Sequence, residues 1–432
     1  MRWLVVAIAL CAACGSKKKQ QRTSDAAPVI VVPNPVFDGG TGSGGSADEV
    51  EPNDSSEVAT PLALGTTARG KIEPEADADY YRIEVTQAGA LTIMTNLVDA
   101  DLTVDVEDGS GTIIAKSDRG GARMREGVPN LGVTPGKYTA IVRKKIVPPK
   151  RPPRGKRKQP PPAPPATPAP PIAYELIATF AAPPPNVERE PDDDRGTAND
   201  LIVGDTAQGF VGWTGDVDLW KLSVETLSEK NSIDIEVGGV DGVALMLELA
   251  DGIGQPLLVR KAPKTSPLVV KNVRPVVASG APPFHYLTIK GDKSNPETHY
   301  TVRVTAKPVE PDQEAEPNDT PEKAMTFPPE RTRVDGVWTA GDVDCYAIDA
   351  DTNPRTLDIA LTPSEIDLSL ELVVDGKVIA KSEEKGKGTN EKLSGPVPAS
   401  TKAIVRVKSA AADATGEGTY ELTVREGAAG GP

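Results

Sequence analysis

The chain has 432 residues, with 48 basic against 62 acidic side chains and a net charge of −14 at neutral pH. That balance disfavours a global nucleic-acid footprint, which needs clustered positive charge. Two histidines and three cysteines leave few side chains for nucleophilic catalysis or for a disulfide framework.

In chain order, the first element is Met1-Arg2, the apolar run from Trp3 to Ala13, and then Cys14-Gly15-Ser16. A charged start, a short apolar stretch and small residues before a cysteine resemble a lipoprotein signal peptide. Residues 1–13 are read as that signal and Cys14 as the lipidated residue, although Cys11 stands where such signals more often carry Leu. The apolar run is well short of the ~20 residues that span a bilayer. Residues 14–47, rich in Lys, Gly, Ser and Pro, are read as a disordered tether. With Cys11 removed and Cys14 acylated, only Cys345 is left, so no internal disulfide can form; it is expected to pack passively at the start of a strand.

A pattern then recurs three times. Glu51-Pro52-Asn53-Asp54 precedes Asp77-Ala78-Asp79-Tyr80-Tyr81; Glu190-Pro191-Asp192-Asp193 precedes Asp216-Val217-Asp218-Leu219-Trp220; Glu316-Pro317-Asn318-Asp319 precedes Asp342-Val343-Asp344-Cys345-Tyr346. After each Asp-x-Asp, apolar and polar residues alternate, as in Tyr81, Ile83 and Val85, which predicts a half-buried strand. A second alternating run ends at Asp108-Gly109, Asp251-Gly252 and Asp375-Gly376, a tight-turn signal. Closing strands begin at Tyr174, Tyr300 and Tyr420. The spacing of roughly 130 residues suits a sandwich of about 100 residues or slightly more.

The Glu-Pro-Asn-Asp opening, the glycine before a short strand (Gly70, Gly209, Gly336), the Asp-x-Asp-aromatic centre and the closing Tyr strand resemble the bacterial pre-peptidase C-terminal domain. The resemblance runs from Asp48 to Arg425 in three copies and implies jelly-roll-like sandwiches, without implying a protease. The expected architecture is therefore all-β: three tandem antiparallel β-sandwiches after a signal peptide and flexible tether. Their expected bounds are 48–182, 186–306 and 312–426, with a disordered tail at 427–432. Pro183-Pro184-Pro185 and Lys307-Pro308 to Pro311 would make short, stiff junctions between separate beads.

Calcium takes six to eight hard oxygen donors in flexible geometry, and clustered carboxylates with an Asn amide oxygen supply them. Copy one offers Glu49, Glu51, Asn53, Asp54, Asp77 and Asp79, and copy three Glu314, Glu316, Asn318, Asp319, Asp342 and Asp344. Both resemble the calcium-binding arrangement of collagenase modules. Copy two offers Glu188, Glu190, Asp192, Asp193, Asp216 and Asp218, where Asp replaces Asn and the extra charge either retains the ion or only repels. The competing account is a set of Asx-capped turns with no metal.

One segment departs from the rest. Between the strand at Tyr138 and the closing strand at Tyr174, residues 144–172 form a basic proline-rich insert that carries Lys144, Lys145, Lys150, Arg151, Arg154, Lys156, Arg157 and Lys158. Proline fixes φ and removes amide donors, so this excursion should favour extended polyproline II. It is either an arm for an anionic partner or a solvated low-complexity loop. His285 and His299 are expected as exposed strand residues, and no catalytic set can be assigned. The function expected is non-catalytic: a lipid-anchored envelope or surface protein, on the outer membrane, whose sandwiches bind protein or polysaccharide and no nucleic acid. The alternative is a scaffold of an envelope enzyme complex with no external ligand.

Overall fold

The computed structural model describes residues 45–73, 77–146, 170–182, 185–275, 277, 280–310, 312–327 and 332–427. The residues read as signal, Cys14, most of those read as tether, residues 428–432 of the tail and the insert residues Lys150, Arg151, Arg154, Lys156, Arg157 and Lys158 lie outside the described residues. The alternation read in the sequence becomes strands, and among the described residues there is no helix.

The strands assort into six sheets that pair into three sandwiches. In sandwich 1 one sheet holds, in spatial order, Ser46–Asp48, Thr67–Ile72, Ile172–Ala181, Gly89–Thr95 and Gly127–Val133. The facing sheet holds Thr60–Pro61, Ala78–Val85, Gly136–Lys144, Leu102–Glu107 and Ile113–Ser117. Long strands pair antiparallel; the short edge strands Ser46–Asp48 and Thr60–Pro61 run parallel to their neighbours. Ser46 and Ala47, read as the end of the tether, thus pair with Thr67 and Ala68. Each sandwich closes on its own apolar cluster, built by the inward residues of both sheets: Ile83, Val104 and Leu176 in the first, Leu222, Leu247 and Val302 in the second, Leu361, Leu370 and Leu422 in the third.

The strands that flank the insert, Gly136–Lys144 and Ile172–Ala181, belong to opposite sheets of sandwich 1. The insert's first residues already have structure: Lys144 is in a strand, and Lys145 donates to Asp118 at 2.6 Å. The three Asp-Gly signals have two outcomes. Asp375 and Gly376 both have positive φ, 49° and 73°, as a two-residue hairpin turn requires. Asp108 and Asp251 instead cap wider loops, each accepting amide hydrogens from residues two and four positions on.

The two histidines differ from expectation. His285 is fully buried, with Nδ1 3.3 Å from the Ala250 carbonyl, and His299 is half-buried with its ring edge-on to Phe210. Burial pulls both imidazoles below their ordinary value. The alternation puts one face of a strand inward but does not tell which sheet face a neighbouring element covers. Cys345 is buried and free, and burial pushes its thiol up to about 12, as expected of a packing residue.

Consecutive sandwiches are not separate beads. Each of the first two carries a bulge on the strand facing its successor, at Asn130 and at Asn272, both with positive φ (50° and 59°). The bulge frees backbone groups for the next copy of the Glu-Pro turn. Glu190 donates its amide to Asn130 O at 3.0 Å and accepts from Gly132 at 2.6 Å; Glu316 donates to Asn272 O at 3.1 Å and accepts from Arg274 at 2.9 Å. The matching strand of the third sandwich, Glu391–Val397, pairs without a bulge. Asn tolerates the left-handed region where other residues lose about 1–2 kcal/mol. Asn272→Gly is therefore expected to leave the melting temperature nearly unchanged, and Asn272→Ala to lower stability by about 1 kcal/mol; equal melting of wild type and Asn272→Ala would remove this account of the bulge.

Candidate metal centre

The repeated acidic residues converge in each sandwich because three local devices recur. First, the Glu-Pro peptide bonds at Glu51-Pro52, Glu190-Pro191 and Glu316-Pro317 are all cis, and each Glu carboxylate accepts the amide two residues on, at 2.9, 3.2 and 2.6 Å. Second, the carbonyls of Asn53, Asp192 and Asn318 accept the amides of Tyr80, Leu219 and Cys345, which pins the turn to the Asp-x-Asp strand. Third, the leading Asp of that strand caps the loop before it: Asp77 accepts from Glu73 at 2.7 Å, Asp216 from Gly212 at 2.6 Å, Asp342 from Thr339 at 3.3 Å.

The closing tyrosine completes the arrangement. Tyr174 donates to Asp79 Oδ2 at 2.5 Å, and the single Tyr420 O–H lies between Asp344 Oδ2 at 2.7 Å and Glu314 Oε2 at 3.0 Å. Tyr300 lies 3.4 Å from Glu188 Oε2 and accepts the Trp220 indole N–H at 2.8 Å. The early glutamates also accept backbone amides, Glu49 from Lys71, Glu188 from Phe210 and Glu314 from Val337. The tyrosine ring lies against the glycine of the short strand: a Cβ on Gly70, Gly209 or Gly336 would overlap it.

These contacts satisfy some carboxylate oxygens and leave others bare. Asn53 Oδ1 and Asp79 Oδ1, Asp192 Oδ1 and Asp218 apart from its contact with the Tyr300 hydroxyl, and Asn318 Oδ1 and Asp344 Oδ1 are buried without a hydrogen-bond partner. Those are the same two positions in every copy. Single oxygens of Glu49, Glu51 and Asp79 lie within 4.8 Å of one another, as do those of Glu188, Glu190 and Asp192, of Glu190, Asp216 and Asp218, and of Glu316, Asp319 and Asp342. A burial penalty left unpaid by hydrogen bonds is unusual in a folded chain. The donor set, all oxygen and mostly carboxylate, fits a hard divalent cation.

Exposure separates the copies. In sandwich 1, Glu51 and Asp54 are exposed and Glu49 half-buried. In sandwich 2 the preceding sandwich covers the turn, and Glu188, Glu190, Asp192, Asp216 and Asp218 are all buried, with only Asp193 exposed. Among the described residues no lysine or arginine pairs with those five. Two like charges at 4.8 Å repel by about 3 kcal/mol at an effective dielectric near 20, so all five cannot stay ionised without a counter-charge. Burial first and the neighbouring carboxylates next hold Glu188, Glu190 and Asp218 well above the carboxylate range. Asp192 is raised to about 8 and Asp216 to about 7, mainly by burial.

Sandwich 3 has a counter-charge already. Arg260, on strand Pro256–Lys261 of sandwich 2, is 1% exposed and pairs with Glu316, Asp319 and Asp342, the last at 2.6 Å. Burial alone would lower its guanidinium, but Asp342, Glu316 and Asp319 hold it above its ordinary value. The sequence-based reading places copies one and three ahead of copy two as calcium candidates; in the structure copy two has buried carboxylates without a cation, and copy three has an arginine among them. Nothing in the local motif points to Arg260, because it comes from another sandwich. Catalytic groupings gain no partner either: among the described residues neither histidine hydrogen-bonds to a serine, cysteine or carboxylate.

The chain is thus an all-β protein of serial sandwiches with carboxylate clusters at the start of each. No protein-family model matches it, and no curated protein matches it. Among solved structures it is similar to a pre-peptidase C-terminal domain of collagenase from Bacillus anthracis, at 22% identity over 25% of this chain and 100% of that one, with a TM-score of 0.21. It is also similar to PliG of Aeromonas hydrophila, a periplasmic inhibitor of g-type lysozyme, at 17% identity over 24% of this chain and 94% of that one, TM-score 0.19.

Proposed function

We propose that this chain is a non-catalytic envelope protein, anchored through lipidated Cys14, that presents three serially docked β-sandwiches to a protein or polysaccharide ligand. Calcium stabilises the first two sandwiches at their acidic turns, most of all at the turn of sandwich 2. The observation that carries the reading is the placement of the second and third carboxylate clusters, which sit where one sandwich meets the next. A ligand surface is offered by a groove of about 690 Å³ beside Gly70, lined by Arg69, Lys71, Asn96, Tyr174 and Glu175. It recurs as about 620 Å³ beside Gly336, lined by Arg333, Asp335, Ser364, Thr419 and Glu421.

The scaffold reading has its own support in the paired main-chain bridges at both junctions, which hold the sandwiches in fixed order whether or not a ligand binds. Fractionation of cells that express wild type and Cys14→Ser decides the anchor: wild type is expected in the membrane fraction and the variant in the soluble one, and equal partition would rule the anchor out. Calorimetric titration of the chelator-treated full chain with calcium decides the ion; absence of any heat of binding would remove calcium. Retention on isolated extracellular polymer, against recovery only with other envelope proteins, separates ligand binding from scaffolding.

A further inference from the structure

We infer that Arg260 is the built-in cation of the third sandwich: its guanidinium fills the carboxylate cluster that calcium fills in the second, so the junction between sandwiches 2 and 3 is closed by protein and not by metal. The ion half of this statement rests on the calcium reading above; the charge half does not.

The register isolates Arg260 as a substitution within the repeat. Its strand pairs it with Leu247, and the matching pairs in the other sandwiches are Val104 with Ser117 and Leu370 with Ser382. Both serines donate to a buried glutamate of their own sandwich, Ser117 to Glu126 at 2.7 Å and Ser382 to Glu391. At the place of Glu126 and Glu391 on the adjoining strand, sandwich 2 has Leu268, opposite Val237. The Ser–Glu pair has thus become Arg–Leu. With no glutamate to hold it inside, the arginine extends across the junction, and its planar fork meets three carboxylates at once.

The same part of sandwich 1 approaches sandwich 2 in the same way. The Asp118 carbonyl accepts the Thr214 hydroxyl at 2.6 Å there, and the Lys261 carbonyl lies beside Gly341 at the later junction. Ser117 therefore occupies the point from which an arginine would enter the second cluster. That cluster keeps bare buried oxygens at Glu190 and Asp216, whereas their counterparts Glu316 and Asp342 are taken by Arg260, and Glu314, Asn318 and Asp344 stay bare in the third cluster. The two junctions share one backbone and differ in who supplies the positive charge.

Two measurements on the full chain test this. In chelator, Arg260→Ser is expected to lower the melting temperature by about 10 °C, since two buried carboxylates, Glu316 and Asp342, and the half-buried Asp319 lose their partner. Adding Glu316→Gln and Asp342→Asn should restore most of that fall; a triple variant as unstable as the single one would overturn the charge role. Calcium stoichiometry by titration supplies the other arm. Arg260→Ser is expected to bind one more ion than wild type, and Ser117→Arg with Glu126→Leu one fewer. Unchanged stoichiometry in both variants, with wild type binding calcium, would overturn the exchange of arginine for ion. Wild type that binds no calcium would end the calcium reading and the exchange with it, and the rescue experiment would still decide the charge role.

Discussion

In chelator the full chain is expected to melt about 10 °C lower at pH 8 than at pH 5, and calcium should close most of that gap. The carboxyls of Asp79 and Asp192 are raised to about 8 and that of Asp216 to about 7, from 3.8, in each case first by burial. A raised folded value means that the folded chain holds protons the unfolded chain has released. That stabilisation is complete below the unfolded value and falls away as pH rises through 4 to about 8. A shift of one pH unit is worth about 1.4 kcal/mol, so one such group contributes on the order of 3 kcal/mol across the window. Calcium replaces the protons, and at a hundredfold excess over its Kd it adds about 2.7 kcal/mol. Apparent affinity for the ion should therefore rise from pH 5 to pH 8. A melting temperature that is flat with pH in chelator, or indifferent to calcium at pH 8, would contradict this.

The local parts of that site were readable in the sequence. Period-two alternation located the strands after Asp79, Asp218 and Asp344, since a pleated strand with one buried face repeats every second residue. The recurrence of Glu-Pro, Asp-x-Asp and the closing tyrosine grouped residues that do meet: Glu49, Glu51 and Asp79 lie together although Asp79 is distant in sequence. Repetition did what no single copy could, because a lone acidic turn has too many structural explanations.

What was not readable depends on pairing between strands far apart, or between sandwiches. Arg260 follows Leu257, Leu258 and Val259 in an ordinary alternating strand, and its partner carboxylates belong to a copy of the motif more than fifty positions on. Asn130 and Asn272 look like loop residues until the bulge gives them a docking role. The one available signal was a difference between repeats, Ser117 and Ser382 against Arg260, and it needs the strand register before the positions can be matched. A repeat shows where the shared site is; departures from the repeat show what each copy does with it.

Gly336→Ala is expected to destabilise the third sandwich by about 3 kcal/mol, the combined effect of overpacking and of a buried hydrogen bond lost. The new methyl would overlap the ring and hydroxyl of Tyr420, which is 3% exposed and has nowhere to retreat. Any displacement of that ring removes its hydroxyl from between Asp344 Oδ2 at 2.7 Å and Glu314 Oε2 at 3.0 Å. Asp344 would then be buried with one more bare oxygen in a cluster that already leaves Oδ1 unpartnered. Gly209→Ala should act in the same way through Tyr300 and Glu188, and Gly70→Ala through Tyr174 and Tyr81. Gly45→Ala, where no atom lies within 4 Å, is the control and should be neutral. The decisive measurement is a double-mutant cycle by denaturant unfolding. Because Tyr420→Ala removes the ring that collides, Gly336→Ala on that background should cost less by more than about 1 kcal/mol than it does alone. Strict additivity, or a Gly336→Ala variant as stable as wild type, would mean that the glycine is not there to admit the tyrosine that orients the acidic cluster.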